Sequence, residues 1–192
     1  VKRNIMVKNM AKKCILVLGG EIKDMAAFAA SVKDADFIMA ADSGAGHLLK
    51  IQVMPHLLMG DFDSIDREDL AVINKSDCRI ANFPREKDDT DSKLILQEAI
   101  AAEFEYIEIW GALGGRPDHG FANILLLLTA RSLFAQMKNK EAGQEPFVCL
   151  CDGGVRIFLA QKGQKVEGEP GDVLSLFALG EDVTGFSGQG LR

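Results

Sequence analysis

The stretch Phe37-Ile-Met-Ala-Ala-Asp-Ser-Gly-Ala45 shows the unit from which the fold can be predicted. It starts with five apolar residues, a length typical of a buried β-strand. An acid, a hydroxyl and a glycine follow directly, and residues 44–51 then have the composition of a helix. Apolar runs without alternation are expected of parallel strands that are buried on both faces. The stretch therefore predicts a strand, a polar turn and a helix of an α/β protein.

The same unit recurs on both sides of this stretch. Further apolar runs predict strands at 14–18, 57–59, 78–82, 107–110 and 148–151. Helical patterns lie between the strands, at 23–33, 66–75, 90–103 and 120–138, and Asp66 is a suitable N-cap for the second of these. Regular alternation of strands and helices indicates a mostly parallel, doubly wound, Rossmann-like α/β sheet.

The pattern changes near residue 150. Glycine-rich turns separate an apolar run at 155–160 from another at 173–178, and no helical pattern lies between them. These features predict the beginning of an antiparallel β domain. We therefore expect an α/β domain over residues 11–146 and the start of a β-sandwich over 147–192. Only a few strands fit before Arg192, so we expect the sandwich to be truncated, with completion of its sheet by another subunit as the alternative.

Composition narrows the functional class. A net charge of −6 argues against a nucleic-acid-binding surface, which needs basic residues to neutralise phosphates. The apolar run Ile124 to Leu128 is too short to span a membrane. The N-terminus lacks a signal-peptide pattern, so a cytoplasmic protein is expected. The cysteines lack the spacing of a disulfide scaffold, and Cys149 and Cys151 are interpreted as buried thiols, with a zinc-ligand pair as the alternative.

Polar clusters follow several of the predicted strands, where ligands bind in open α/β sheets. Asp61 and Asp63 come directly after the third strand, and residues at i and i+2 of an extended chain point the same way. We predict that both carboxylates face one Mg²⁺, and that Ser64 can donate to a phosphate oxygen. In the alternative interpretation, this is an acidic turn whose only role is to cap the next helix; that would explain Asp66 but not Asp61 and Asp63.

Two further clusters have ambiguous local interpretations. Asp88 and Asp91 share one face of a helix start, beside Lys87, and suit either metal and phosphate binding or helix capping. The segment Gly111 to His119 joins a strand to a long apolar helix. Its glycines allow backbone amides near phosphates, and Arg116 can bind phosphate oxygens bidentately. Asp118 and His119 could orient groups, relay a proton or help to hold the metal, or be a helix cap and a surface residue.

The remaining candidates are weaker on local grounds. Asp42 and Ser43 suit capping as well as substrate contact. His47 and His56 are interpreted as helix-surface and loop residues. The Gly19-Gly20 pair after the first strand either approaches a ligand or only turns the chain.

Together the clusters resemble the thiamine pyrophosphokinase family. The matching motifs are A-D-S-G-A at 41–45, G-D-F-D-S at 60–64, K-D-x-T-D at 87–91 and G-G-R-x-D-H at 114–119, followed by Asn123. They occur in order over roughly residues 14–150. The C-terminal segment with a serine and an aromatic residue that contact thiamine in the family has no counterpart before Arg192.

The resemblance implies a function and a set of site residues. ATP would donate pyrophosphate to thiamine, with Mg²⁺ as cofactor, in a homodimer built from an α/β domain and a β-sandwich. Asp61, Asp63 and Asp91 would hold Mg²⁺, with Asp88 a further candidate. The implied nucleotide-binding residues are Asp42, Ser43, Ser64, Lys87, Thr90, Gly114, Gly115, Arg116 and Asn123, and the implied orienting groups are Asp118 and His119.

Three alternatives remain at this point. A diphosphokinase that acts on another alcohol, such as a hydroxymethylpterin, would share the ATP site. A non-catalytic nucleotide or thiamine sensor would share the fold. Residues 61–65 resemble the nucleophile motif of haloacid-dehalogenase-type phosphatases. In that class the nucleophilic aspartate follows the first strand, whereas Asp61 follows the third predicted strand.

Overall fold

The computed structural model describes residues 12–83, 90–137, 146–161, 164–179, 182–185 and 187. One compact unit extends to Gln164, and the residues from Lys165 onward belong to a second unit. The candidate site lies in the first unit.

The strands of the first unit are β1 (Lys13–Val17), β2 (Phe37–Ala41), β3 (Leu57–Gly60), β4 (Arg79–Asn82), β5 (Tyr106–Trp110), β6 (Phe147–Asp152) and β7 (Val155–Phe158). The helices are α1 (Met25–Lys33), α2 (Ala45–Lys50), α3 (Arg67–Ile73), α4 (Asp91–Ala101) and α5 (Pro117–Met137), and a 3-10 turn spans Asp42–Gly44. No described helix is both long enough and apolar enough to cross a membrane.

The seven strands form one sheet in the order β4-β3-β2-β1-β5-β6-β7. Pairing is parallel from β4 to β6, and only β7 runs antiparallel. The chain builds the sheet outward from β1 to β4, and then returns to the other side of β1 with β5. This reversal creates a topological switch point between β1 and β5, where ligands bind in such sheets. The predicted mostly parallel, doubly wound α/β sheet is confirmed.

Alternate residues of each inner strand supply two hydrophobic layers. Leu16, Met39 and Leu57 face α4 and α5, whereas Val17 and Ile38 face α1, α2 and α3. Inner strands of this kind show no alternation of polar and apolar residues because both faces are covered. The continuous apolar runs in the sequence therefore gave the strand positions to within a residue or two.

Side chains that accept backbone hydrogen bonds fix the starts of three helices. Asp24 accepts from the Ala27 nitrogen, Asp66 from the Glu68 nitrogen and Thr90 from the Lys93 nitrogen. An N-cap of this kind satisfies one of the unpaired amides in the first turn. The prediction that Asp66 caps its helix is confirmed.

The C-terminal expectations need correction. The predicted domain boundary between residues 146 and 147 falls inside the first unit, because β6 and β7 extend the same sheet. The apolar run at 173–178, expected to belong to an antiparallel β domain, forms no strand in the structure. Val173 is 90% exposed and Phe177 is 87% exposed, and no described strand pairs with them. A β-sandwich in this region stays a prediction.

A buried carboxylate ties the central strands to the edge of the sheet. Glu108 of β5 is 1% exposed. Its Oε1 accepts hydrogen bonds from the Tyr106 hydroxyl (3.1 Å) and Arg156 Nη1 (3.2 Å). Its Oε2 accepts from Ser31 Oγ and Trp110 Nε1, and lies 3.5 Å from Lys13 Nζ. Burial would raise the pKa of Glu108, but Lys13, Ser31 and Arg156 hold it below its ordinary value. The carboxylate is therefore ionised and fully paired.

Glu108→Gln should destabilise the protein because Lys13 and Arg156 would lose their shared negative partner. Removing one member of a buried ion pair costs about 3–5 kcal/mol. Urea denaturation at pH 7 would measure the free energy of unfolding. Glu98→Gln is the matched control: its pair with Arg79 is exposed, and such pairs contribute less than about 1 kcal/mol. Equal losses in the two variants would contradict the importance of the buried pair.

Candidate functional site

Three positions with positive φ shape the carboxyl ends of β2 and β3. Asp42 (φ 43°) and Phe62 (φ 61°) are non-glycine residues with positive φ, and Gly60 has φ 152°. A Cβ atom on Gly60 would collide with the Asp42 carboxylate. Strained residues of this kind persist where the surrounding structure holds them, and they cluster at functional sites. Gly60 is therefore required for Asp42 to lie against the end of β3.

Asp42 is a buried acid at this edge, with 7% of its surface exposed. Its Oδ1 accepts a hydrogen bond of 2.8 Å from the Phe62 backbone nitrogen. The side chain of Asp91 bonds to it, and the charge of Asp61 acts on it as well. Burial, together with these two acids, raises the pKa of Asp42 to about 6, against the opposing Phe62 hydrogen bond. The structure thus brings together Asp42 and Asp61, which directly follow β2 and β3, and Asp91 from the first turn of α4.

The Asp61/Asp63 pair differs in detail from the prediction. β3 ends at Gly60, so the extended geometry that would point both side chains the same way does not continue. Instead, Asp61 Oδ1 accepts from the backbone nitrogen of Asp63 (3.2 Å) in a tight turn. Asp63 and Ser64 lie exposed after that turn. The charge of Asp61 acts on Asp42, a proximity that no local pattern in the sequence predicted.

The cluster before α4 is only partly described. Lys87 and Asp88 lie outside the described residues. Thr90 is the N-cap of α4, and Asp91 lies in its first turn with its side chain bonded to Asp42. Capping therefore explains Thr90, and the interaction with Asp42 gives Asp91 a role beyond capping.

Two glycine-containing loops contact each other at the switch point between β1 and β5: residues 18–24, the first glycine loop, and residues 111–116, the second glycine loop. Leu18 N donates to Trp110 O (2.8 Å), and Gly20 N donates to Gly111 O (3.0 Å). A Cβ on Gly20 would collide with the carbonyls of Gly111 and Gly114. Both loops therefore need glycine because their backbones touch. Gly19-Gly20 does more than turn the chain: it packs against the second loop.

Other predicted nucleotide-binding residues belong to these loops or contact them. A Cβ on Gly114 would collide with Glu21, whereas Gly115 is exposed with φ 93°. Asn123 of α5 donates from Nδ2 to the Ala112 carbonyl (2.8 Å). A Cβ on Gly19 would collide with the Ser43 hydroxyl, so the absence of a side chain there leaves room for Ser43. Packing explains Gly114, and Asn123 holds the loop in place.

Arg116 and Asp118 form an exposed bidentate pair before and in the first turn of α5. Arg116 Nη2 lies 2.5 Å from Asp118 Oδ2, and Nε lies 3.1 Å from Oδ1. Hydrogen bonding from Arg116 lowers the pKa of Asp118 to about 2. Asp118 is therefore ionised at neutral pH and too weak a base to take a proton from an alcohol. His119 is exposed beside it.

Two polar residues that hold the first glycine loop were not predicted. His47 is half-buried, not a plain surface residue, and its Nε2 lies 2.8 Å from Gly20 O. Asp152 is 7% exposed and accepts from the Lys23 backbone nitrogen (3.1 Å). Asp152 directly follows an apolar strand, as the predicted clusters do, so its position in the sequence could have revealed it. His56 accepts from Ile38 N through Nδ1 (3.0 Å) and is likewise structural.

The tightest group of metal-type ligands in the described residues lies elsewhere in the sheet. Glu108, Cys149 and Cys151 have one ligand atom each within 4.8 Å of one another. The oxygens of Glu108 already accept from several donors. The cysteines are buried free thiols with 3.4 Å between their sulfurs, and contact with Cys149 and burial raise the pKa of Cys151. These features favour a packed core over a metal site, as predicted for the cysteines.

The fold and this edge define a doubly wound α/β protein with an acidic site beside a glycine-lined switch point. The family model described as "Thiamin pyrophosphokinase, catalytic domain" matches residues 28–139, more than half of the chain. That range includes the whole acidic cluster and the second glycine loop. The chain therefore belongs to the thiamin pyrophosphokinase family.

Individual relatives agree with this assignment. Thiamine pyrophosphokinase of Bacillus subtilis is 37% identical over 89 residues, which cover 46% of this chain and 42% of the relative. Thiamin pyrophosphokinase 1 of Caenorhabditis elegans is 29% identical over 103 residues, covering 49% and 40%. The crystal structure of the Bacillus subtilis enzyme superposes with a TM-score of 0.59 at 26% identity, over 73% of this chain and 61% of that chain. The matched segments thus span about two fifths of the curated relatives.

Divalent-cation binding should weaken as the pH falls through about 6, because a proton on Asp42 competes with the cation. With a raised pKa, Asp42 is protonated in the folded protein at pH 5 and ionised at pH 7.5. A group with pKa of about 6 lowers the affinity roughly tenfold at pH 5. Titration with Mn²⁺, followed by electron paramagnetic resonance, would measure it.

The control is Asp42→Asn, which keeps an oxygen for the Phe62 amide but does not titrate. Its cation affinity should be low at both pH values. An equal pH dependence in the variant and the wild type would show that Asp42 is not the competing group.

Proposed function

We propose that the protein transfers pyrophosphate from Mg·ATP to the hydroxyl of thiamine and releases thiamine diphosphate and AMP. The observation that carries the proposal is the cluster of Asp42, Asp61 and Asp91 at the carboxyl edge of the sheet. Membership of the thiamin pyrophosphokinase family supports the choice of reaction and acceptor.

The chemistry of the cluster suits Mg²⁺. Burial and the neighbouring acids disfavour the charged form of Asp42, as its raised pKa reports. A divalent cation would relieve this repulsion, and hard carboxylate oxygens are the ligands that Mg²⁺ prefers. Asp61 and Asp91 would hold the ion, with Asp63 and Asp88 as further ligands and Asp42 beside them. When bound, Mg²⁺ neutralises charge on the phosphate oxygens.

The phosphates would lie against the second glycine loop. Gly115 is exposed and carries no side chain, so a phosphate can approach its backbone. Arg116 presents a planar fork of donors, which is suited to phosphate oxygens. The fork is already oriented by Asp118, so less side-chain freedom is lost when a phosphate binds. Helix α5 begins at Pro117, and the start of a helix favours an anion. Lys87 would add a further cation, and Ser43 and Ser64 would supply hydroxyl donors.

The reaction forms a bond from the thiamine hydroxyl oxygen to the β-phosphorus of ATP. The bond from that phosphorus to the α,β-bridging oxygen breaks, and AMP leaves with the bond's electron pair. The hydroxyl proton passes to solvent. Transfers of this class depend mainly on positioning and charge neutralisation. Asp118 would keep Arg116 in place, as its ion pair indicates, and His119 would help to orient the substrate. Assembly as a cytoplasmic homodimer belongs to the same proposal.

An assay with ATP, Mg²⁺ and thiamine would test the proposal directly. Formation of AMP and thiamine diphosphate in equal amounts is the expected result. ATP binding without AMP formation would contradict catalysis and favour a sensor. Turnover with a hydroxymethylpterin but not with thiamine would contradict the proposed acceptor.

Asp61→Asn should abolish most Mg²⁺-dependent turnover while the protein stays folded. The loss should reach at least about a hundredfold, because changing even the partners of metal ligands costs about 10–100-fold. Steady-state release of AMP would measure the rate, and circular dichroism would check the fold. Asp66→Asn is the matched control, since asparagine caps α3 as well as aspartate does. Unchanged turnover in Asp61→Asn would remove Asp61 from the metal site.

A further inference from the structure

One half-buried and one buried side chain hold the first glycine loop, residues 18–24, which joins β1 to α1. On one side, His47 of α2 places Nε2 2.8 Å from the Gly20 carbonyl oxygen. Because a carbonyl can only accept, the ring nitrogen donates. On the other side, Asp152 at the end of β6 accepts from the Lys23 backbone nitrogen at 3.1 Å. The two contacts therefore hold the loop from different neighbouring elements.

Neither side chain has a part in the proposed chemistry. Asp152 is 7% exposed, and a buried carboxylate is unfavourable unless it has partners. Burial lowers the pKa of His47, and Lys50 acts in the same direction, whereas the bond to Gly20 raises it. Both side chains are thus wholly or partly removed from water where they contact the backbone of one loop.

The first glycine loop contacts the second, residues 111–116, so that the position of one determines the position of the other. Gly20 N donates to Gly111 O, and Gly20 has no space for a Cβ beside the carbonyls of Gly111 and Gly114. Gly114 in turn packs directly on Glu21. Contacts between backbones cannot relax as flexible side chains can, so a shift of the first loop displaces the second. The second loop ends at Arg116.

We infer that His47 and Asp152 are positioning residues that set the two glycine loops, and with them Arg116, at the place where the phosphates of Mg·ATP bind. This inference rests on the proposed function, because the ligand concerned is the nucleotide. Neither residue contacts the substrate. Their effect is exerted through the backbone of residues 18–24 and 111–116.

The test compares variants that lose the contact with variants that keep it. His47→Leu and Asp152→Ala remove the donor and the acceptor. His47→Gln retains an amide donor of similar reach, and Asp152→Asn retains an acceptor oxygen. The first two should bind Mg·ATP on the order of tenfold more weakly, since small displacements of positioned groups are costly. The conservative pair should bind within about threefold of the wild type. Isothermal titration calorimetry would measure the affinity.

His56→Leu is the matched control for a general loss of stability. His56 also binds one backbone group, the Ile38 amide, but it lies at the start of β3, away from the loops. His56→Leu should lower the melting temperature without weakening nucleotide binding. If it weakens binding as much as His47→Leu does, destabilisation alone explains the effect and the inference is wrong.

Hydrogen–deuterium exchange gives a readout that needs no nucleotide. In the free protein, His47→Leu and Asp152→Ala should speed amide exchange in residues 19–23 and also in residues 111–116. His56→Leu should leave both segments unchanged. Faster exchange in the first loop alone would contradict the inference that a shift of the first loop displaces the second.

The failure of this inference is distinguishable from the failure of the proposed function. Wild-type protein that does not bind Mg·ATP would overturn the function and the inference together. Wild-type protein that binds Mg·ATP, with His47→Leu and Asp152→Ala binding equally well, would overturn the inference alone.

Discussion

The contact between the ends of β1 and β5 is the interaction on which the rest of the site depends. The backbone pairing of the two strands continues past their ends, through Leu18 with Trp110 and Gly20 with Gly111. This is also the point at which the strand order reverses. The two glycine loops therefore leave the sheet in contact with each other. Any side chain at Gly20 or Gly111 would separate the loops.

Asp42 and Glu108 show how one fold uses buried carboxylates in two opposite ways. Burial acts on both in the same direction, toward a higher pKa. Around Glu108, the cations Lys13 and Arg156 outweigh burial, and the charge is stabilised inside the protein. Around Asp42, the neighbours are Asp61 and Asp91, which add to the effect of burial. The first arrangement stabilises the sheet, whereas the second leaves a negative site that a cation would stabilise.

Glycine and strained residues fix the site as much as its charged groups do. Asp42 reaches its place only because its own φ is positive and Gly60 leaves room for its carboxylate. Gly20 and Gly114 allow two loops to touch, and His47, Asn123 and Asp152 hold those loops from three different elements, α2, α5 and β6. Because these residues already hold the site in place in the free protein, less conformational entropy is lost when a substrate binds.

The sequence by itself determined the strands, the helices and the edge of the sheet at which the acids lie. It could do so because parallel strands that are buried on both faces must be apolar throughout, and because polar turns at their carboxyl ends share one edge. It failed for residues 173–178, since an apolar run becomes a strand only when another strand pairs with it. Only the tertiary structure decided the strand order, the pairing of Asp42 with Asp91 and the roles of His47 and Asp152. These depend on contacts between residues far apart in the chain, which no local pattern specifies.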